Sequence, residues 1–260
     1  MLAITSIELS GWIGSILWPF MRIGAMLMAA PIFGARLVPV RVRLALAMTL
    51  SWILSPMVYS DAMVINPLSA EGLMTGAQQI LIGLAMGFTL QMVFSAVVIA
   101  AQSMAMGMGL GFATAVDPQN GVQVPVIAQY YLTLATLIFL AMNGHLLVIQ
   151  MLVDSFRSLP VSLEGISREG LWALVSWGSR MFVGAILIAL TAITSLLIIN
   201  LAFGVMSRAA PQLNIFGVGF PVMMGAGFIV IMLSLPGLTP HMTELMQDAF
   251  ELIGLLVAGG

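Results

Sequence analysis

The sequence predicts an all-α, polytopic membrane protein with long helical hairpins, and three observations carry that expectation. Of its 260 residues 61% are hydrophobic and only 7% charged, against about 25% charged in an ordinary soluble domain. Mean hydropathy is +1.12, so lipid or a large oligomer interface must cover most of the surface. The apolar residues fall in runs close to the roughly 20 residues that cross a bilayer as helix, and such runs exceed strand lengths.

In chain order, Gly11 to Phe33 is the first apolar stretch, interrupted by Pro19 and Arg22. Leu44 to Tyr59 is second and short, and Leu73 to Ala101 is third and long. Val124 to Leu152 is fourth, interrupted by Asn143-Gly144-His145. Met181 to Phe203 is fifth, and Phe216 to Leu235, containing Pro221, is sixth. None reads as strand, because lipid admits only helices or closed barrels. At the C-terminus Met242, Leu245, Met246, Ala249, Phe250, Ile253 and Leu256 recur at helical steps, with Glu244, Gln247, Asp248 and Glu251 opposite. That is an amphipathic helix, suited to a surface or a partner, and its acidic face disfavours adhesion to anionic lipid.

Charge narrows the function classes. The net charge of -2 argues against nucleic acid, which needs a basic face. The sequence holds no Cys, which removes disulfides and thiolate chemistry. Residues Met1 to Ser10 carry Glu8 and no basic residue, so a cleaved secretory signal is not expected. Arg36, Arg41 and Arg43 cluster after the first stretch, whereas Ser60 to Glu71 carries only acids. The positive-inside rule then puts the first loop in the cytoplasm and the N-terminus outside.

Met104 to Pro125 reads MAMGMGLGFATAVDPQNGVQVP. Gly107, Gly109 and Gly111 alternate with Met106, Met108, Leu110 and Phe112, and each glycine weakens a helix by roughly 1 kcal/mol against Ala. Asp117-Pro118 and Asn120-Gly121 signal turns. An irregular apolar loop is therefore expected between two long helices. Such backbone survives at membrane depth only when buried in protein or lining a cavity, and methionine repacks readily. A deformable pore plug and an ordinary helix–helix loop packed at its glycines are both compatible with these residues. The spacing does not match GxGxxG, and no strand precedes it.

Arg22 lies inside an apolar stretch, where insertion costs about 2.5–3.5 kcal/mol. Snorkelling, or pairing with a carboxylate inside the bundle, is the favoured reading, and a subunit-interface role ranks second. Gln78, Gln79, Gln91, Gln102, Gln129 and Asn200 are polar residues in or beside apolar helices, expected to bond across helices, with a lumen lining as the sharper alternative. Asn143 and His145 are subunit-interface or polar-network candidates, His145 reading as a satisfied polar core residue rather than a ligand, and two isolated histidines without a nearby acidic cluster make no metal site. Pro211 ends the fifth stretch after Arg208, with Gln212 and Asn214 placed to satisfy freed backbone groups. No nucleophile–base set or HExxH pattern is present, so neither catalysis nor a cofactor is expected. A secondary transporter is the alternative class; it predicts paired ionisable groups near the midplane and two similar halves, whereas Arg22 has no obvious acidic partner in another segment and no internal repeat is evident.

Several of these features, in their order, resemble the FliR family of flagellar export-gate proteins, homologous to the T subunit of virulence type III secretion systems. They are Trp18-Pro19 with Arg22 and Ala30-Pro31, Pro39 through Arg43, Gln79-Ile-Leu-Ile-Gly83 with Gly87-Phe88, and Phe112-Ala-Thr114 with Asp117-Pro118. Further along come Asn143-Gly-His145, Leu152-Val-Asp154 with Phe156, Leu159-Pro160, Arg208-x-x-Pro211-Gln212, Phe216 and Gly219-Phe-Pro221. The flagellar branch is the closer match. The resemblance implies one export-gate domain across residues 1–260, with a FliP-like part followed by a FliQ-like helical hairpin inside a helical hetero-oligomer. It implies FliP, FliQ and FlhB as partners, other export-apparatus proteins and membrane lipid around it, and unfolded flagellar subunits in transit. It implies the bacterial inner membrane at the flagellar basal body, with the gate in an unusual position relative to the bilayer, so that hydropathy spans need not be true crossings. It also implies that residues 106–122 are the plug, with Met106, Met108, Leu110 and Phe112 as its apolar contacts, and a T subunit of a virulence system as the alternative.

Overall fold

The computed structural model describes residues 6–62, 65–111, 113–117, 123–209 and 219–258. Among them the helices are α1 (Ser6–Ala29), α2 (Val40–Ala62), α3 (Ala70–Gly107), α4 (Val126–Ala141), α5 (Gly144–Ser158), α6 (Arg168–Ser176), α7 (Gly178–Ala209), α8 (Phe220–Ser234) and α9 (Leu238–Ala258). Two short strands, β1 (Thr114–Val116) and β2 (Gln123–Pro125), lie between α3 and α4. The chain is an all-α polytopic membrane protein: five of its helical stretches are long and apolar enough to span, or six when α4 and α5 count as one broken span. The 38 residues of α3 extend roughly 57 Å at 1.5 Å per residue. That overshoots a hydrocarbon core of about 30 Å, so α3 is more than a simple crossing.

The residues cluster into two compact units. The first gathers α1, α2, α3 as far as Met92, α5, α6 and α9 from Asp248. Helices α1 and α2 form a hairpin, each with an internal proline, Pro19 and Pro56. Its turn is tight. The Phe33 N–H donates to the Pro31 carbonyl at 2.8 Å, and Ile32 between them has φ 69°. This is a γ-turn of the rarer positive-φ hand, uncommon for a β-branched residue. Arg43 holds the turn by donating from Nη2 to the Ala35 and Val38 carbonyls, both at 2.8 Å.

Helix α3 comes against α1 at Gly83 and Gly87. A Cβ on Gly83 would strike the Arg22 carbonyl oxygen, and one on Gly87 would lie 2.8 Å from the Met26 oxygen. The pair makes a GxxxG step. Trp18, Ile23, Met26 and Leu27 of α1 and Ile82, Met86 and Leu90 of α3 are almost fully buried. Between helices in lipid the driving force is close packing rather than transfer from water, and glycine allows the backbones to approach. Helix α6, which the apolar runs did not announce, starts at Ser167, whose side chain accepts from the Gly170 N–H, an N-cap.

The second unit gathers α3 from Val93, β1, β2, α4, α7, α8 and α9 as far as Gln247. Helix α7 buries Gly184, Ala185, Ile188, Ala189, Ala192 and Leu196, a mostly small stripe at three- and four-residue steps. Its other face exposes Ile186, Leu190, Ile193, Leu197 and Leu201, an apolar surface that needs lipid or protein. Phe94 and Phe139 meet edge to face with ring centroids 5.8 Å apart.

Several boundaries differ from the hydropathy reading. Helix α3 continues to Gly107, so the stretch taken as irregular from Met104 begins with a helical turn. Part of that stretch is paired strand. Thr114, Ala115 and Val116 face Pro125, Val124 and Gln123 in antiparallel register, and Thr and Val carry β propensity. The amphipathic C-terminal helix is α9, with Met242, Leu245, Met246, Ala249, Ile253 and Leu256 buried and Glu244, Gln247 and Glu251 exposed. It therefore packs on its own chain.

Candidate functional site

The glycine–methionine stretch is built at the end of α3. The Gly109 N–H donates to the Met106 carbonyl at 3.0 Å and the Leu110 N–H to the Ala105 carbonyl at 2.8 Å, while Gly109 has φ 76°. These two bonds around a left-handed residue form a Schellman cap. Only Gly109 needs to be glycine for conformation. Gly107 is helical, and a Cβ there would lie 3.2 Å from Leu196 Cδ1 of α7, so it serves close packing. The Asn200 side chain of α7 donates to the Gly107 carbonyl at 3.4 Å, reaching a group that the helix end leaves short of partners.

The side chains divide by direction. Met108 is fully buried against α8, where a Cβ on Gly227 would collide with its side chain. Met106 is 71% exposed, as expected for residues two apart on a helix. Leu110 and Gly111 are half-buried, and a Cβ on Gly109 would lie 3.3 Å from the Phe220 ring. Beyond them the Val126 N–H closes on the Ala113 carbonyl at 2.9 Å, so the ribbon leads directly into α4. Asp117, just past β1, is buried. Phe112, Pro118, Asn120 and Gly121 lie outside the described residues.

In the first unit a polar cluster surrounds Arg22, which is fully buried on α1. Its Nε donates to Gln79 Oε1 of α3 at 2.7 Å. Its Nη1 donates to the Ser155 carbonyl at 2.8 Å and Ser155 Oγ at 3.1 Å. Its Nη2 donates to the Leu159 carbonyl at 2.9 Å, and the guanidinium carbon lies 4.2 Å from the Phe156 ring centroid. The expected carboxylate partner is replaced by neutral acceptors, and the side chain is fully buried, so it does not snorkel. The negative end of the α5 dipole and the face of Phe156 supply the compensating field. The planar fork of arginine suits acceptors in several directions, and it closes the C-terminal turn of α5. No sequence pattern tied Arg22 to Gln79 or Ser155; the only usable local signal was the GxxxG step that brings α3 against α1.

The other polar positions scatter. Gln78 donates weakly to the Leu163 carbonyl at 3.5 Å. Gln79 Nε2 and His145 Nδ1 are buried with no hydrogen-bond partner among the described residues. Asn143 breaks the fourth apolar stretch with φ 57°, and its carbonyl accepts from the Leu146 and Leu147 N–H groups at 2.9 and 3.2 Å. Asparagine tolerates this left-handed backbone better than most residues. Arg208 is exposed in the last turn of α7, where a cation complements the helix dipole. Pro211, Gln212 and Asn214 lie outside the described residues. Among the described residues no group of three His, Asp or Glu side chains is placed to hold a metal.

Comparison with known proteins agrees with the membrane architecture. The model of the family described as bacterial export proteins, family 1, matches residues 13–249. The chain is 38% identical over 258 residues to the flagellar biosynthetic protein FliR of Escherichia coli strain K12, covering 99% of this chain and 98% of that one. It is 37% identical to the protein of the same name from Pectobacterium carotovorum, covering 97% and 96%. It is 31% identical to that of Aquifex aeolicus, covering 91% of each.

Proposed function

The chain belongs to the bacterial export proteins, family 1, and from that membership we propose that it is a membrane subunit of the flagellar type III protein-export apparatus. The observation that carries this reading is the near full-length match, at 38% identity, to a flagellar biosynthetic protein FliR. On this reading it assembles with FliP and FliQ in the inner membrane at the flagellar basal body. FlhB associates with that complex, and unfolded flagellar subunits pass through it.

Within that gate, residues 106–112 form the plug, followed by the turn around Asp117. An apolar, close-packed constriction excludes hydrated ions because nothing replaces their water. The division of side chains supports this role. Met108 is seated in protein while Met106 is exposed, so one anchors the segment and the other is available to the conduit. Gly109, at the left-handed cap, is the point where the backbone turns from rigid helix to ribbon. Opening needs no covalent chemistry, only repacking of unbranched methionines around a threading chain.

Deleting residues 106–112 tests the plug. The expected result is leakage of ions and small molecules across membranes carrying the assembled gate, and unchanged permeability rejects it. The export assignment is tested separately: a strain lacking the chain should build no filaments, and a swimming strain rejects the assignment.

A further inference from the structure

The α1–α2 hairpin holds a cleft of about 260 Å³ toward its turn, lined by Met21, Gly24, Met28, Arg43, Leu44 and Ile80 among others. The lining is apolar except for Arg43. Three features determine what fits it.

The first is Gly24. It sits in mid-helix, where glycine is about 1 kcal/mol worse than alanine, yet a Cβ there would meet nothing within 4 Å. Gly83 and Gly87 on the neighbouring helix are explained by backbone contact, and Gly24 is not. Its missing side chain leaves the cleft open at a conformational cost. The second is Arg43. Its Nη2 is engaged by two carbonyls, its Nε is buried with no hydrogen-bond partner among the described residues, and no carboxylate bridge to it is present among them. The third is charge. Arg36 and Arg41 are exposed in the same short stretch, and the sequence carries no acid from Ala30 to Ser60. An apolar cleft holds water poorly, and both flanking helices are apolar enough to span.

We propose that this cleft binds one acyl chain of an anionic membrane phospholipid, with its phosphate held by Arg43 and drawn by Arg36 and Arg41. The occupant is a lipid rather than free phosphate because the lining offers an apolar wall far larger than its single polar edge. Charge complementarity selects an anionic headgroup, since each nearby cation strengthens headgroup binding. A lipid seated here would brace the turn that carries the strained Ile32. The inference is independent of the export reading, since it concerns one hairpin and is read without reference to motility.

The test uses the full chain, purified in mild detergent, stripped of lipid and titrated with phosphatidylglycerol under native mass spectrometry. One retained lipid per chain is expected, with phosphatidylcholine retained at least about fivefold more weakly. Gly24→Phe fills the cleft and should lower retention about tenfold, because at least two methylenes lose their seat. Gly24→Ala, which favours the helix, provides a folded control that should still bind. Arg43→Gln should lower retention about fivefold, and Arg36→Gln with Arg41→Gln gives the charge test without disturbing the turn. Glycerol phosphate, which has no chain, should not compete. Retention unchanged in a folded Gly24→Phe chain, equal retention of both lipids, or displacement by glycerol phosphate would each overturn the proposal.

Discussion

Removing the Gln79 acceptor while leaving the Arg22 charge in place is the most exacting test of the buried cluster. In Gln79→Leu the guanidinium loses a 2.7 Å bond and keeps its contacts to the Ser155 and Leu159 carbonyls. A hydrogen bond to a charged group contributes about 1.5–3 kcal/mol, and a buried charge short of a partner costs more than a neutral one. The expected loss is therefore roughly 2–3 kcal/mol, or about 5–10 °C in melting temperature for a chain of this size. Arg22→Met removes the charge together with its own desolvation penalty, so its loss should be smaller, about 1–3 kcal/mol. The cycle is decisive. In the Arg22→Met background, Gln79→Leu should cost almost nothing, giving a coupling of about 2 kcal/mol. Gln79→Glu should be tolerated only where Arg22 is present. The readout is thermal unfolding of the purified chain in one detergent. A Gln79→Leu chain melting within about a degree of the parent, or strictly additive losses, would refute the argument that the charge is held by this neutral cage.

Two further outcomes follow from backbone geometry. Gly109 has φ 76°, so Gly109→Ala should cost about 1–2 kcal/mol, and Gly109→Asn less, because asparagine visits this region more readily; the same melts rank them. Ile32 has φ 69°, so Ile32→Gly should be more stable than Ile32→Ala by about 1 kcal/mol, the reverse of the usual order, measured by the difference in melting temperature.

What was legible in the sequence was what depends on composition and period. The apolar runs marked the membrane helices, Asn143 marked the break between α4 and α5, and Met242 to Leu256 marked the buried face of α9. Each of these signals sums over neighbouring residues along one element, so it survives ignorance of what lies across the interface. The glycine-rich stretch was legible only as an anomaly. Three glycines at period two look equivalent in a string of letters, because glycine is permitted in helix, cap and loop alike.

Folding distinguished them. Gly107 is helical against Leu196, Gly109 closes a Schellman cap, and Gly227 on a remote helix makes room for Met108. The partner of Arg22 was likewise decided in three dimensions. Its acceptors stand 57, 133 and 137 residues away, and neutral carbonyls at a helix end carry no mark in the sequence until chain termination of α5 brings them to the guanidinium. The amino-acid sequence by itself determined that this is a helical membrane protein and where its long apolar helices lie, though not α6 or the end of α3, because desolvating backbone polar groups leaves a charge-poor chain no other solution in lipid. The tertiary structure alone decided which buried polar groups meet and which methionine faces inward, because those choices depend on distances between segments that local propensity does not encode.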